Sequence, residues 1–372
     1  MVSMEELLNL MVQQGGSDLH LSVGASPKIR VDGRLTDTDY EILTPEVSKK
    51  LVYSVLSADQ IAKFEKHWEL DFSFGVTNLG RFRTNAFLQR GTVAAVLRVI
   101  PYEVHSFEQI GLPRKVAEDL STMHKGLILC TGATGSGKST TLASLVDHIN
   151  QNRQGHIVTI EDPIEFLHMN KGCLVTQREV GGDTHAFGDA LRSVLRQDPD
   201  VVLVGEMRDL ETIEAALTLA ETGHLTFATL HTSDVVQTVN RIVDVFPAHQ
   251  QQQIRTMLSF TLQAVVCQQL IPRAQGRGRV LAAEILICTP AVRALVRDNK
   301  AHQIHSIVQT GGQYGMRTMN QAIFDLYRNN LITWEDALDN SPDPGELDRL
   351  AQRPGTGSTS TSHTGTSSAR RK

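Results

Sequence analysis

The chain has 372 residues, 41% of them hydrophobic and 21% charged, which is typical of a globular protein with enough apolar material for two domains. Its 36 Lys and Arg residues against 41 Asp and Glu residues give a net charge of −5, which argues against a protein that binds nucleic acid or anionic lipid through overall charge. The four cysteines lie far apart, so neither a zinc site nor a disulfide framework is expected. The first twenty residues carry acids where a signal peptide has bases, and no apolar run of about 18 residues occurs, so we expect a cytoplasmic protein.

Short apolar runs separated by turns occupy the first hundred residues. The segment 27–35 predicts a β-hairpin that turns at Asp32 and Gly33, and the segment 81–100 predicts two further strands. Two prolines and poor periodicity in 101–113 indicate a linker. We therefore expect residues 1–100 to form an N-terminal domain.

After the linker, strands are expected to alternate with helices. The expected strands are 126–131, 157–160, 201–204 and 225–230. One expected helix, at 210–223, has on its buried face Ile213, Ala216, Leu217 and Ala220. This alternation predicts an α/β domain with a mainly parallel sheet over 114–340. A C-terminal extension follows over 341–372, and its Ser/Thr/Gly-rich part from about residue 355 is expected to be disordered.

The segment GATGSGKST fills every position of the phosphate-binding P-loop pattern, between an expected strand and an expected helix. Its glycines let the backbone turn N–H groups toward phosphate oxygens, and the helix N-terminus favours the same negative charge. Lys138 is expected to contact the β- and γ-phosphates, and Ser139 to bind Mg²⁺. The expected ATP-binding residues are Gly132, Ala133, Thr134, Gly135, Ser136, Gly137, Lys138, Ser139 and Thr140.

Two acidic segments follow expected strands. One glycine separates Glu206 from the strand at 201–204, and the segment EDPIE after the strand at 157–160 contributes Glu161, Asp162 and Glu165. Phosphoryl transfer to water needs a carboxylate that orients the water, apart from any that holds the metal. A solvated loop would carry the same acids, but beside a P-loop the catalytic interpretation is favoured.

Two histidines, His224 and His231, bracket the expected strand at 225–230. Their spacing and the lack of a third ligand argue against a metal site. His231 stands at the carboxyl end of the strand, where a side chain could sense the γ-phosphate.

The segments GATGSGKST, TIEDPIEF, VGEMRDLET and GHLTFATLHTSD occur here in the order of the secretion ATPase superfamily. They resemble its Walker A motif, Asp box, atypical Walker B motif (in which a glycine precedes the glutamate) and His box. Within this GspE/PilT family, the chain is similar to the type IV pilus retraction ATPases of the PilT type. The resemblance extends over 15–338 and includes AVRALV at 291–296, similar to the AIRNLI retraction motif, with Ala294 in place of the asparagine.

The resemblance implies a PAS-like α+β domain followed by a RecA-like P-loop ATPase domain, assembled into a cytoplasmic homohexamer. It implies ATP and Mg²⁺ as ligands and ATP hydrolysis that powers pilus retraction and twitching motility. The implied location is the cytoplasmic face of the inner membrane, against the platform protein of the pilus machine. A paralogous retraction ATPase is a further candidate partner, and no nucleic acid is expected.

The resemblance also assigns roles. Lys138 would hold phosphate, Glu165 would polarise water, and Glu206 would support the metal through water. His224 and His231 would read the nucleotide state. Three arginines of the N-terminal domain would close over the phosphates, although an exposed strand face would show the same alternation: Arg81, Arg83 and Arg98. The coupling motif, whose apolar spacing also suits a core helix, comprises Ala291, Val292, Arg293, Ala294, Leu295 and Val296.

Four alternatives remain. An accessory retraction ATPase of the PilU type shares every motif. A pilus extension or type II secretion ATPase typically adds a tetracysteine zinc module and a longer N-terminal region. A RecA-like nucleic-acid motor would need a basic groove interleaved with aromatic residues, whereas only 5% of this chain is aromatic. A non-enzymatic assembly subunit would be expected to lack Lys138 or the acids of the Asp box.

Overall fold

The computed structural model describes residues 2–31, 33–77, 79–100 and 103–352. Asp32 of the expected hairpin turn lies outside these ranges, as do residues 101 and 102 of the expected linker and the Ser/Thr/Gly-rich tail. Two β-sheets organise the described chain, one with six strands and one with seven.

The first sheet is antiparallel, in the order β3-β2-β1-β6-β5-β4. Its elements are α1 (Met4–Gln13), β1 (Asp18–Leu21), β2 (Lys28–Val31), β3 (Arg34–Asp37), α2 (Pro45–Tyr53), α3 (Ala58–His67), β4 (Glu69–Val76), β5 (Gly80–Gln89) and β6 (Thr92–Ile100). Side chains of the three helices and of one sheet face share a single core, which includes Leu8, Val52, Phe64, Phe82 and Leu97. The strands expected at either side of the 32–33 turn and within 81–100 are confirmed.

Local capping explains where two of these helices begin. Ser3 accepts a hydrogen bond from the Glu6 amide, and the Glu6 carboxylate accepts one from the Ser3 amide. Ser57 and Gln60 form the same reciprocal pair at the start of α3. Each capping box satisfies two backbone donors that a helix start otherwise leaves unpaired.

The second sheet has the order β13-β12-β7-β11-β10-β8-β9, and every neighbouring pair except β12–β13 is parallel. Its strands are β7 (Gly126–Thr131), β8 (His156–Glu161), β9 (Leu174–Glu179), β10 (Val201–Val204), β11 (Leu225–Leu230), β12 (Leu262–Pro272) and β13 (Arg279–Ile287). The mainly parallel sheet and the four expected strands are confirmed. Together with the α+β first half, they bear out the predicted fold class.

Helices cover both faces of this sheet and bury three apolar clusters against it. They are α4 (Phe107–Ile110), α5 (Arg114–Thr122), α6 (Lys138–Asn152), α7 (Phe187–Val194), α8 (Leu210–Glu221), α9 (Val235–Asp244), α10 (Ala248–Thr261), α11 (Pro290–Arg297), α12 (Ile304–Thr310), α13 (Met319–Arg328), α14 (Trp334–Asp339) and α15 (Pro344–Gln352). The four residues predicted for the buried face of α8 are buried: Ile213, Ala216, Leu217 and Ala220. Within the described ranges, no helix is both long enough and apolar enough to cross a membrane.

Residues near the expected domain limits pack against the second sheet. Phe107 and Leu112, inside the expected linker, are buried in the cluster that contains α5 and α6. At the other end, Leu347 of α15 is buried with Ile323 of α13 against β13. The domain limits at 100, 113 and 340 remain predictions.

Candidate nucleotide-binding site

A cavity of about 860 Å³ opens at the carboxyl ends of the parallel strands β7, β8, β10 and β11. The segments that line it are those expected from the sequence: the P-loop, the Asp box after β8, the Glu206 segment after β10 and His231 after β11. The P-loop contributes Thr134, Gly135, Gly137, Lys138, Ser139 and Thr140. Gly132, Ala133 and Ser136 belong to the same loop but do not line the cavity. The position fits the rule that ligands of open α/β sheets bind beyond the carboxyl ends of the strands.

Two P-loop positions favour glycine, both because of their positive φ and one because a side chain would also collide there. Gly132 has φ 139°, and a Cβ there would collide with the carbonyl oxygen of Gln268 on β12. Gly137 has φ 92° and immediately precedes the first residue of α6. The loop therefore turns its backbone sharply between β7 and α6, so that the N-terminus of α6 faces the cavity.

Lys138 folds back over the loop. Its Nζ donates to the carbonyl oxygens of Gly132, at 2.7 Å, and Ala133, at 3.0 Å. Burial lowers the pKa of the Lys138 ammonium, and the nearby charges of Glu206 and Glu165 oppose that shift. The buried Oγ of Ser136 has no hydrogen-bond partner among the described residues. A phosphate group in the loop would supply acceptors for both side chains.

Glu206 is held from two sides. Its Oε2 accepts from Arg208 at 2.9 Å, and its Oε1 lies 3.1 Å from Nε2 of His231. The hydrogen bond from Arg208 lowers the pKa of Glu206, so the carboxylate stays ionised at neutral pH. The structure thus joins the expected metal-side acid to the expected phosphate-sensing histidine.

The Asp box brings two glutamates of different character to the cavity. Glu161 accepts from Thr159 at 2.7 Å and from Gln177 at 3.2 Å, and burial raises its pKa to about 7. Glu165 is exposed to the cavity. An exposed carboxylate suits a role with water better than a half-buried one whose Oε1 already accepts two hydrogen bonds.

Magnesium would have to share its coordination shell with a bound nucleotide. Among the described residues, no group of three or more His, Cys, Asp or Glu side chains is arranged to hold a metal ion. Mg²⁺ in phosphate sites commonly takes one or two protein ligands together with phosphate oxygens and water. The hydroxyl of Ser139 and the carboxylate of Glu206 fit that pattern.

The structure separates the two histidines. His224 lies before β11, where its Nδ1 contacts the carbonyl oxygen of Leu219 at 3.0 Å and the hydroxyl of Thr222 at 3.1 Å. His231 lies at the other end of the strand, about 23 Å away at the usual rise per residue. Of these two histidines, His231 lines the cavity and His224 does not.

The three candidate arginines also differ in position. Arg83 on β5 lines the cavity. Arg81, two residues earlier on the same strand face, lies 3.4 Å from Glu179 at the end of β9. Arg98 on β6 donates to Asp18 of β1 at 2.7 Å, within the first sheet. Within one chain, the structure therefore brings only one of the three to the cavity.

Two cavity arginines were missed from the sequence. Arg208 follows Glu206 by two residues, and this closeness to a candidate acid could have indicated it from the sequence. Arg279, at the start of β13, points its Nη1 at the carbonyl oxygen of Gly135 from 3.4 Å. Nothing in the sequence near Arg279 indicates that β13 passes the P-loop.

The candidate coupling motif forms α11. Val292 and Val296 are buried in the core beneath the sheet. Arg293 donates to the carbonyl oxygens of Ser259 and Phe260, at 2.8 and 3.0 Å, and so satisfies acceptors at the end of α10. The helix is anchored by its apolar face and by this arginine.

The sequence profile of the family described as Type II/IV secretion system protein matches residues 2–338. The chain belongs to this family. It is 50% identical over 339 residues to the type IV pilus retraction ATPase PilT of Pseudomonas aeruginosa, an alignment that covers 91% of this chain and 98% of the relative. It is 41% identical over 343 residues to the type IV pilus ATPase PilU of the same organism, covering 92% and 90%.

A crystal structure of the pilus retraction motor PilT with bound ADP superposes with a TM-score of 0.88 at 52% identity, covering 94% of this chain and 100% of that one. The resemblance to the retraction ATPases of the secretion ATPase superfamily, predicted from the four motifs, is confirmed. Membership of an ATPase family also confirms the predicted class of enzyme.

Proposed function

We propose that this chain hydrolyses ATP to power type IV pilus retraction. The observation that supports it most is the convergence of the P-loop, Glu165 and the Glu206–His231 pair on one cavity. The likeness to PilT, which spans nearly the whole of both chains, indicates which work the hydrolysis drives. An accessory ATPase of the PilU type is the second candidate, supported by its lower but substantial identity.

The proposed chemistry assigns one task to each side chain. Lys138 exchanges its carbonyl partners for the phosphate oxygens of bound ATP, and the amides of the P-loop surround the same oxygens. Ser139 and Glu206, the latter through water, would hold Mg²⁺, which neutralises phosphate charge when bound. Glu165 orients the attacking water and accepts its proton. His231 contacts Glu206 and would respond to the presence of the γ-phosphate.

The domain motion forms a further part of the proposal. Residues 1–100 would act as one domain, joined to 114–340 through 101–113, with 341–372 as an extension. Arg83 faces the cavity from β5, so ATP would favour an arrangement in which this arginine approaches the γ-phosphate. Arg81, Arg98 and His224 do not line the cavity and would reach the phosphates only from another copy of the chain or in another arrangement.

The proposed assembly is a homohexamer at the cytoplasmic face of the inner membrane, where α11 would help to pass motion to the platform protein. The described chain has no membrane-spanning helix, which fits attachment through a protein partner. A paralogous retraction ATPase is a second proposed partner.

A steady-state ATPase assay of the purified full chain tests the enzymatic part. We expect Mg²⁺-dependent ATP hydrolysis that single-stranded DNA leaves unchanged. Stimulation by DNA would favour a nucleic-acid motor, and absence of hydrolysis at any Mg²⁺ concentration would contradict the proposal.

A further inference from the structure

A contact joins the first sheet to the second near the Asp box. Arg81 on β5 places its Nη2 3.4 Å from Oε1 of Glu179, the last residue of β9. Glu179 is only 5% exposed, and Arg81 is half-buried. A buried carboxylate is retained only with partners that compensate for its lost hydration, so this pair is more than a surface ion pair.

The other oxygen of Glu179 holds the Asp box. Its Oε2 accepts a hydrogen bond from the backbone amide of Ile164 at 3.0 Å, and Ile164 directly precedes Glu165. Glu179 is itself fixed, because its amide donates to Asp183 at 2.8 Å and it stands opposite Glu161 in the β8–β9 pairing. One carboxylate thus connects an arginine of the first sheet with the loop that carries the proposed water-orienting glutamate.

The two arginines of β5 therefore have different surroundings. Residues two apart on a strand face the same way, so Arg81 and Arg83 both leave the core side of the first sheet, on which Phe82 is buried. Arg83 lines the nucleotide cavity, whereas Arg81 contacts Glu179 and does not line it. Arg81 also has a buried Nε without a hydrogen-bond partner among the described residues, which leaves a second donor for a closer contact.

We propose that Arg81 and Glu179 form a positioning pair that sets the Asp-box loop, and with it Glu165, according to the placement of the first sheet. The proposal rests on the assignment of Glu165 as the water-orienting residue. Neither member of the pair touches the phosphates. When the first sheet moves toward β9, Arg81 and Glu179 draw closer and the Ile164 amide stays fixed. When it moves away, Glu179 loses the arginine that faces it, and its hold on the loop changes.

This role predicts a defect in turnover without a defect in binding. A small misplacement of a catalytic group lowers the rate strongly. Removing a contact that is made equally before and during the reaction would instead raise KM. Loss of positioning through Glu179 should therefore lower kcat and leave KM nearly unchanged, because neither Arg81 nor Glu179 lines the nucleotide cavity.

The experiment compares Arg81→Ala, Arg81→Lys, Glu179→Gln and the Arg81→Ala/Glu179→Gln double variant in the full chain. Glu179→Gln keeps an oxygen that can accept from the Ile164 amide but removes the charge that faces Arg81. The matched control is Lys49→Ala, which breaks an exposed ion pair with Glu65 in the same half of the chain. Thermal unfolding of each variant reports whether it folds, and Arg81→Lys, which keeps the charge, remains informative if Arg81→Ala does not fold.

We expect Arg81→Ala to lower kcat by about tenfold to a hundredfold, with KM for ATP and the Kd for ADP changed by less than about twofold. Arg81→Lys should recover part of the loss. The double variant should be no slower than the slower single variant, because both substitutions break the same connection. Hydrogen exchange of the peptide that covers 162–168 should become faster in Arg81→Ala and stay unchanged in Lys49→Ala.

Three results would contradict the proposed positioning role of Arg81 and Glu179. They are a rise in KM that matches the loss of kcat, additive effects in the double variant, and unchanged exchange at 162–168. The first would place Arg81 on the phosphates. If the wild-type chain hydrolyses no ATP, the proposed function fails, and the exchange comparison still decides whether Arg81 holds the Asp-box loop.

Discussion

Nε2 of His231 lies 3.1 Å from Oε1 of Glu206, across the gap between the carboxyl ends of two neighbouring strands, β11 and β10. The carboxylate also accepts from Arg208, which keeps it ionised. Glu165 lines the same cavity without belonging to this pair. The two proposed acids are therefore in different electrostatic surroundings, and their substitutions should have different consequences.

We expect Glu165→Gln to bind ATP normally and to lose hydrolysis by about a hundredfold or more, because the amide cannot accept the proton of the water. Glu206→Gln should instead need more Mg²⁺ for half-maximal activity. Nucleotide binding and Mg²⁺ titrations of both variants check this, with Glu118→Gln, a half-exposed residue of α5 that does not line the cavity, as the control. If Glu165→Gln shifts the Mg²⁺ requirement and Glu206→Gln does not, the two roles have been exchanged.

Arg83→Ala tests the proposed response of the first sheet to the γ-phosphate. Because a guanidinium at the cavity gains most from the charge of ATP, turnover and ATP affinity should fall while ADP affinity barely changes. Titration of both nucleotides into this variant and into Arg34→Ala, on the exposed strand β3, measures the difference. Equal losses for ADP and ATP would show that Arg83 serves the site in general.

Much of this site could be predicted because the residues that form it lie in short continuous segments of the sequence. The glycines of the P-loop, Lys138 and the strand before them stand within about a dozen consecutive residues, and the four expected strands are continuous apolar runs whose limits the chain itself marks. The parallel sheet then follows from the alternation of strands and helices, and it places the carboxyl ends of those strands at one edge.

Other features depend on contacts that no local pattern contains. Strand β12 begins at Leu262, directly after α10 ends at Thr261, so no turn residue separates helix from strand. Strand β9 is polar and only partly buried, which hides it from a search for apolar runs. The contact between Arg81 and Glu179 joins residues far apart in the chain, so their pairing depends on how the two sheets pack.

A buried carboxylate next to α9 makes stability depend on pH. Glu284 is 3% exposed and accepts from the Val235 amide at 3.0 Å, and burial raises its pKa from 4.5 to about 7. A raised pKa means that the folded state binds the proton more tightly than the unfolded state. The stability that this provides is complete below pH 4.5 and is lost as the pH rises toward 7.

Glu284→Gln removes this charge and keeps an oxygen for the Val235 amide. We expect the variant to be more stable than the wild type at pH 8, by up to about 3 kcal/mol, and equally stable near pH 4.5. Thermal unfolding at the two pH values measures the difference, with exposed Glu335→Gln as the control. A variant that is less stable at pH 8 would show that Glu284 is needed as a carboxylate.

Substitutions on the buried face of α11 cannot distinguish a role in coupling from a role in folding. Val292 is fully buried, so Val292→Asp should lower the free energy of unfolding by about 3 kcal/mol or more, and ATPase activity should fall with it. Ala291 is exposed on the same helix. If α11 passes motion to a partner, Ala291→Glu should keep ATPase activity and lose pilus retraction. Normal retraction by this variant would leave α11 as a structural helix.

Live imaging of labelled pili in the organism that encodes this chain tests most directly whether its ATP hydrolysis powers retraction. Cells that lack the chain should carry abundant pili that do not retract. The wild-type chain should restore retraction, and Lys138→Ala, which removes the charge that faces the phosphates, should not. Cells that lose their pili when the chain is deleted, or that retract them normally with Lys138→Ala, would contradict the claim that ATP hydrolysis by this chain powers retraction.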